Sequence, residues 1–229
     1  MFAKRLALAT AALLLALTGC SAAEPSASPS GDAPDGSIVL PEAAGLRFGA
    51  EDATFDVEIH ADPQCPWCAR LETAIGDQLD ELVEEEEIAL TVVLRSFLDD
   101  STGKQVSKQA ANAVLCVQPS GHGLEFYSTM MKRQPEPQEN QTPWDAGSLT
   151  ALAKEVGADD DATAACIKDI PHADLIDDME AKAFSDGVTG TPRLFLDGRE
   201  APQVIMQGLM EGQITMRQLL EANTPRKQG

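Results

Sequence analysis

The segment Cys65-Pro66-Trp67-Cys68 stands where an alternating stretch gives way to a helical stripe, and this placement constrains the chain most. Before it, apolar Phe55, Val57 and Ile59 alternate with polar Asp56, Glu58 and His60, a strand pattern. Asp62 and Pro63 break the strand. After Cys65, Leu71, Ile75, Leu79 and Leu82 recur at helical spacing. Cys65 therefore falls at an N-cap and Pro66 at the first helical position, where a missing N–H costs nothing. Cys68 lies three residues before Leu71 and continues the buried stripe. The two thiols are unequal. Cys65 is expected to be exposed at the positive end of the helix, which favours a thiolate, and Cys68 to be shielded beneath it.

The start of the chain reads as a targeting segment. Lys4 and Arg5 precede an apolar run from Leu6 to Leu17, too short to span a bilayer as a stable anchor. The run ends in Leu17-Thr18-Gly19-Cys20, which resembles the bacterial lipobox. That resemblance implies a lipoprotein signal peptide over 1–19, lipidation at Cys20, and a chain held by its lipid at the extracytoplasmic face of the cell membrane. The plainer alternative is an ordinary secretory signal in which Cys20 falls by chance. Residues 20–37, rich in Ser, Ala, Pro and Gly, read as a flexible tether. Cleavage before Cys20 leaves 15 basic residues against 37 acidic, a net charge of -22. Such a surface excludes nucleic acid as a partner and leaves membrane attachment to the acyl chains.

With Cys20 lipidated, four cysteines remain in an exported chain, an even number that favours disulfides. Four cysteines allow three pairings. Adjacency on one helical turn makes Cys65–Cys68 the natural pair, and Cys116–Cys166 follows by elimination. The latter is read as structural, because neither cysteine has the C-x-x-C context. No cofactor and no metal site is read from the chain.

Residues 38–100 hold the first strand–helix–strand unit. Ile88 to Leu94 is almost wholly apolar and reads as a strand buried on both faces, parallel to the strand before Cys65. Residues 101–186 lack a convincing strand. Helices are expected over Val106 to Val117 and Leu124 to Lys132. A loop follows from Arg133 to Trp144, then a helix capped by Ser148, another capped by Asp160 or Asp161, and a longer one ending near Phe184. Residues 187–229 return to strands. Arg193 to Leu196 is followed by the hairpin signal Asp197-Gly198, a returning strand near Val204-Ile205, and a last helix carrying Met216, Leu219 and Leu220. This is an α/β sheet with a helical insertion.

Taken with Gly190-Thr191-Pro192 before the late strand, these features resemble the DsbA-like branch of the thioredoxin superfamily. The resemblance implies a thioredoxin fold with an inserted all-helical subdomain and a protein-disulfide oxidoreductase. Cys65 and Cys68 would form the catalytic redox disulfide, with Pro66 and Trp67 as the active-site dipeptide. Pro192 would be cis, and Thr191 would offer its backbone to an extended substrate. The implied partners are exported unfolded or reduced proteins and a quinone-linked membrane protein that reoxidises the pair. Two positions depart from the pattern. Ile59 stands where relatives carry a buried carboxylate that assists the deeper thiol. Trp67 stands where the strongest oxidases carry His, so Cys65 is expected to be less acidic than in those relatives.

Other readings stay open. A disulfide isomerase or reductase uses the same chemistry, and Thr191 is a residue found in isomerase-type relatives. A metal-binding or chaperone-like lipoprotein is a different class, because C-x-x-C also binds soft metals. His60 reads as a strand histidine with an ordinary hydrogen bond. His122 and His172 read as loop or cap residues, Glu84 to Glu87 as a solvated charge run, and Trp144 as a loop anchor or substrate contact.

Overall fold

The computed structural model describes residues 33–134 and 144–223. In chain order the elements are β1 (Ile38–Val39), β2 (Leu46–Phe48), β3 (Phe55–Ala61), α1 (Pro66–Glu84), β4 (Ile88–Leu94), α2 (Leu98–Thr102), α3 (Val106–Val117), α4 (Gly123–Lys132), α5 (Ala146–Glu155), α6 (Asp161–Asp169), α7 (Ala173–Ser185), β5 (Arg193–Leu196), β6 (Arg199–Glu200), α8 (Gln203–Met210) and α9 (Met216–Asn223). The expected signal peptide, Cys20 and residues 20–32 of the tether lie outside the described residues. No helix among the described residues is long and apolar enough to cross a membrane. Residues 33–37, the end of the expected tether, touch the fold at their two ends. Ala33 and Ser37 are buried, and the Gln118 amide donates to the Ser37 carbonyl at 2.7 Å.

The six strands form one mixed sheet in the order β1-β2-β4-β3-β5-β6. Of these pairs only β3 and β4 run parallel, in register from Phe55 opposite Ile88 to Ala61 opposite Leu94. Every residue of β4 is buried, as expected of a strand covered on both faces. The helix α1 packs on β4 and is flanked by α4, α8 and α9, while α7 also packs against β4. The antiparallel pairing of β3 with β5 sets Ile59 opposite Leu194 and His60 opposite Arg193. It therefore brings the end of β3, which leads into Cys65, beside the start of β5, which follows Pro192.

Three local readings are corrected. The short strands β1 and β2 have too few residues to show alternation. Gly45 admits their turn: its φ is +130°, and a Cβ there would lie 2.8 Å from Thr91 Cγ2 and 3.0 Å from the Val92 carbonyl oxygen. The strand returning from Asp197-Gly198 is Arg199–Glu200, reached at once through positive φ at both turn residues. Val204 and Ile205 lie in α8 instead, because Pro202 at the N-cap position starts a helix there despite two β-branched residues. Finally, Asp145 rather than Ser148 caps α5, through a reciprocal capping box with Ser148.

Helices α2 to α7 separate β4 from β5 in the chain. A buried ion pair ties this block to the sheet. Arg95 follows β4, is 1% exposed, and donates from Nε and Nη2 to the Glu180 carboxylate of α7 at 2.9 and 2.7 Å. The Ser96 N–H donates to the same carboxylate at 3.0 Å. Burial raises the Glu180 pKa, but Arg95 and the backbone donor outweigh it and hold the carboxyl below its ordinary value. The bridge Cys116–Cys166 ties α3 to α6, with Cα atoms 5.8 Å apart. Closing that 50-residue separation restricts the unfolded chain by roughly 4 kcal/mol in the entropy treatment. Truncating Glu180 leaves a buried guanidinium without its anion. Glu180→Ala is expected to cost about 3–5 kcal/mol in urea unfolding, and replacing Arg95 and Glu180 together by apolar residues to cost less.

Candidate active site

Cys65 takes the N-cap position of α1 with extended backbone (φ -81°, ψ 115°) and Pro66 the first helical position. The side chain of Cys65 makes no cap hydrogen bond, so the first helical N–H groups remain turned toward its sulfur. The Thr191–Pro192 peptide is cis. Across this junction the Cys65 thiol donates to the Thr191 carbonyl at 3.6 Å. The strand pairing thus unites Cys65, Cys68, Thr191 and Pro192, residues up to 127 positions apart in the chain.

Cys65 and Cys68 are both free thiols. The expectation that Cys65 is exposed needs correction: it is 6% exposed and Cys68 2%, whereas Trp67 is 56% exposed. The thiol faces the Thr191 carbonyl at the Thr191–Pro192 turn. Arg70, one turn along α1, sets its guanidinium carbon 5.5 Å from the Trp67 ring centroid. Beside them a cleft of about 520 Å³ is lined by Trp67, Arg70, Thr191, Pro192, Met206 and Met210, among others.

The sulfurs differ sharply in acidity. The Cys68 thiol acts first in lowering the Cys65 pKa, and the Thr191 hydroxyl and the N–H groups of Cys68 and Trp67 add to it. Together they overcome burial and bring Cys65 from 9.0 to about 6. Burial, reinforced by the neighbouring Cys65 sulfur, drives Cys68 well above its ordinary value. The Thr191 hydroxyl is buried without a hydrogen-bond partner while both cysteines are thiols. It acts to lower the pKa of both sulfurs, a role additional to that expected of the Thr191 backbone.

Ile59 is buried in β3 and provides no carboxylate. Two other acids are buried, Asp62 in the loop before Cys65 and Glu72 further along α1. Asp62 accepts from the Ser107 hydroxyl at 2.5 Å and from the N–H groups of Gln64 and Leu98 at 2.9 and 3.1 Å. Burial nevertheless raises its pKa from 3.8 to about 6. Gln64 donates to Asp99 and Ser107, and Gln134 donates to the carbonyls of Pro63 and Cys65. The loop before Cys65 is thereby braced against the helical block. Glu72 follows Cys68 by one turn of α1, and its carboxyl lies over Gly76, one turn further from Cys68. A Cβ at Gly76 would collide with it. Burial raises Glu72 from 4.5 to about 7, against a hydrogen bond from Ser128 Oγ at 2.7 Å. A charged residue inside an apolar stripe was the available sequence signal for Glu72. Asp62 looked only like a strand breaker.

The remaining candidates fall elsewhere. The His60 ring pairs with Glu58 Oε1 at 2.7 Å and packs 5.5 Å from Phe195. His122 and His172 occupy the N-cap positions of α4 and α7. Trp144 is buried, as an anchor is. The charge run closing α1 is partly engaged, because Arg217 of α9 pairs with Glu85 and Glu87.

The sequence matches the profile described as Thioredoxin over residues 42–215. The chain belongs to the thioredoxin family. Among curated proteins, Ser/Thr protein kinase PknE of Mycobacterium tuberculosis is 32% identical over 130 residues, which is 54% of this chain and 23% of that protein. The chain thus spans under a quarter of the length of the curated relatives it matches. Solved structures share the fold at lower identity. MdbA, a thiol-disulfide oxidoreductase from Actinomyces oris, superposes with a TM-score of 0.65 at 19% identity, covering 80% of this chain and 85% of that one. The oxidised DsbA of M. tuberculosis gives 0.57 at 20% identity, covering 72% and 91%. These matches establish a thioredoxin fold with the helical insertion of DsbA-like proteins.

Two predictions follow from the ionisable groups of this thioredoxin-family site. Iodoacetamide trapping of reduced protein is expected to show Cys65 titrating near pH 6. Thr191→Val, which removes the hydroxyl donor, should move that midpoint upward by about one pKa unit, worth about 1.4 kcal/mol; an unchanged midpoint would exclude the hydroxyl from the role. The second prediction concerns stability. Asp62 and Glu72 hold protons in the folded chain between their ordinary pKa values and about 6 and 7, while the unfolded chain has lost them. Stability of the oxidised protein therefore falls as pH rises through that window. Cys65 has the opposite sign, being depressed on folding, so the reduced protein gains stability relative to the oxidised one from about pH 6 to 9. Thermal midpoints of both forms across pH 4.5–9 check this, and Glu72→Gln should flatten the fall.

Proposed function

We propose that this thioredoxin-family chain is an extracytoplasmic thiol:disulfide oxidoreductase that introduces disulfides into exported proteins. One observation carries the reading. A buried pair of thiols has opposite acidities, and the more acidic one, Cys65, lies at a helix entrance against the cis peptide at Pro192.

In the proposed cycle, a substrate thiolate attacks the Cys65 sulfur of the Cys65–Cys68 disulfide. The bond between the two enzyme sulfurs breaks, and its electron pair goes to Cys68, which takes up a proton. A second substrate thiolate then attacks the substrate sulfur of the mixed disulfide. Cys65 leaves as the thiolate, held by the N–H groups of Trp67 and Cys68 and by the Thr191 hydroxyl. Two substrate thiols become a disulfide and the enzyme disulfide becomes a dithiol. The low pKa of Cys65 favours this direction, at about 1.4 kcal/mol per pKa unit. The cleft beside Trp67 and Pro192 suits an extended substrate segment paired with the Thr191 backbone.

The location, the lipid at Cys20 and a quinone-linked membrane partner that restores the disulfide are part of the proposal. They rest on the lipobox-like Leu17-Thr18-Gly19-Cys20 and on the DsbA-like fold. An isomerase or reductase is the second reading, supported by Thr191 before the cis-proline.

Reduced and scrambled ribonuclease separate these readings. The oxidised protein is expected to reoxidise reduced ribonuclease rapidly and to leave the scrambled form scrambled. Unscrambling without net oxidation would favour the isomerase. Cys65→Ser should abolish exchange, and Cys68→Ala should accumulate a mixed disulfide with substrate. Exchange that survives Cys65→Ser overturns the mechanism.

A further inference from the structure

A second sulfur centre lies in the helical block, away from the active-site pair. Cys116 of α3 and Cys166 of α6 are bridged, and the Nε2 of His172 lies 3.6 Å from Cys166 Sγ. The three side chains place one nitrogen and two sulfurs within 4.8 Å of one another. His172 reaches this point because α6 ends at Ile170, whose φ of 50° turns the chain back over Cys166. A β-branched residue in the left-handed region is strained, and here the strain serves to return the imidazole.

One buried amide organises the cluster. Asn112 of α3 is fully buried. Its Nδ2 donates to Cys116 Sγ at 3.4 Å and to the Cys166 carbonyl at 3.1 Å, and its Oδ1 accepts the backbone N–H of His172 at 3.2 Å. A single side chain thus fixes the relative positions of all three residues. Stability alone asks only for the bridge and gives no reason for an imidazole nitrogen aimed at one of its sulfurs.

We infer that Cys116, Cys166 and His172 are a latent site for a zinc-class d10 cation, opened when the bridge is reduced. Tetrahedral zinc with sulfur at about 2.3 Å and nitrogen at about 2.0–2.1 Å sets neighbouring S and N ligands about 3.6 Å apart. The Cys166–His172 edge already has that length. Two thiolates and an imidazole make a three-ligand set with a fourth position left for water. Cys166 and His172 are each partly exposed, which provides the entry path, while Cys116 is buried.

The opening step balances with an external dithiol as reductant. One of its thiolates attacks the accessible Cys166 sulfur. The Cys116–Cys166 bond breaks, and its electrons go to Cys116, whose sulfur faces the Asn112 N–H. The second thiolate of the reductant closes its own disulfide and releases Cys166. Two electrons and two protons have then entered the site, and the cation displaces the two protons on binding. The site is thus empty while oxidised and competent while reduced.

The test uses the chain carrying Cys65→Ser and Cys68→Ser, so that the active-site pair cannot bind metal. The protein is reduced anaerobically with a phosphine and titrated with Co²⁺, then Zn²⁺. The expected result is one Co²⁺ per chain with thiolate-to-cobalt charge-transfer absorption, displaced by Zn²⁺, and no such band from the oxidised protein. His172→Ala leaves the bridge intact and is expected to weaken Co²⁺ binding in the reduced state by more than about tenfold. The inference is overturned if the reduced protein takes up no more Co²⁺ than the oxidised one, or if His172→Ala binds as tightly. Loss of the helical circular dichroism on reduction overturns it equally, because the ligands then share no scaffold.

Discussion

The antiparallel pairing of β3 with β5 is the constraint on which the site depends. α1 supplies unpaired N–H groups and a favourable dipole at Cys65, but these alone do not distinguish the chain from any helix that starts at a cysteine. The pairing adds the Thr191–Pro192 turn, which carries a carbonyl and a hydroxyl to the same sulfur. The buried acids Asp62, in the loop before Cys65, and Glu72, further along α1, carry a cost in folding stability, because each is held in a place that disfavours its charge.

The helical block does more than interrupt the sheet. Asp62, Gln64 and Gln134 connect the loop before Cys65 to Asp99, Ser107 and the end of α4. Arg95 and Glu180 fasten α7 of the same block to the end of the strand parallel to β3. Block and sheet are therefore joined at two places, the first of which holds the loop before Cys65. One is made of neutral and acidic hydrogen bonds, the other of a charge pair whose guanidinium is buried.

Much of this was legible where spacing along the chain carries the information. The alternation of β3, the stripe of α1, the apolar run of β4 and the helical periodicity of the insertion are short-range patterns, and each corresponds to an observed element. The cis peptide at Pro192 was expected for a different reason, the resemblance to the DsbA-like branch, and is present. What escaped depends on contacts across the chain or on too few residues. β1 and β2 have two and three residues and follow the edge of β4. Val204 and Ile205 favour a strand by composition, yet Pro202 starts a helix. The contact of the Cys65 thiol with the Thr191 carbonyl joins residues more than a hundred positions apart. The approach of His172 to Cys166 depends on a left-handed turn at Ile170, which no local preference of isoleucine suggests.

The near-complete burial of Cys65 has a kinetic meaning. A sulfur left open at a helix tip meets whatever diffuses past, whereas this one shows the solvent only a sliver. Trp67, with Arg70 over its ring, projects at the rim of the cleft that also holds Thr191 and Pro192. Rates of attack on such a sulfur therefore report the shape of the reagent as well as the acidity of the thiol.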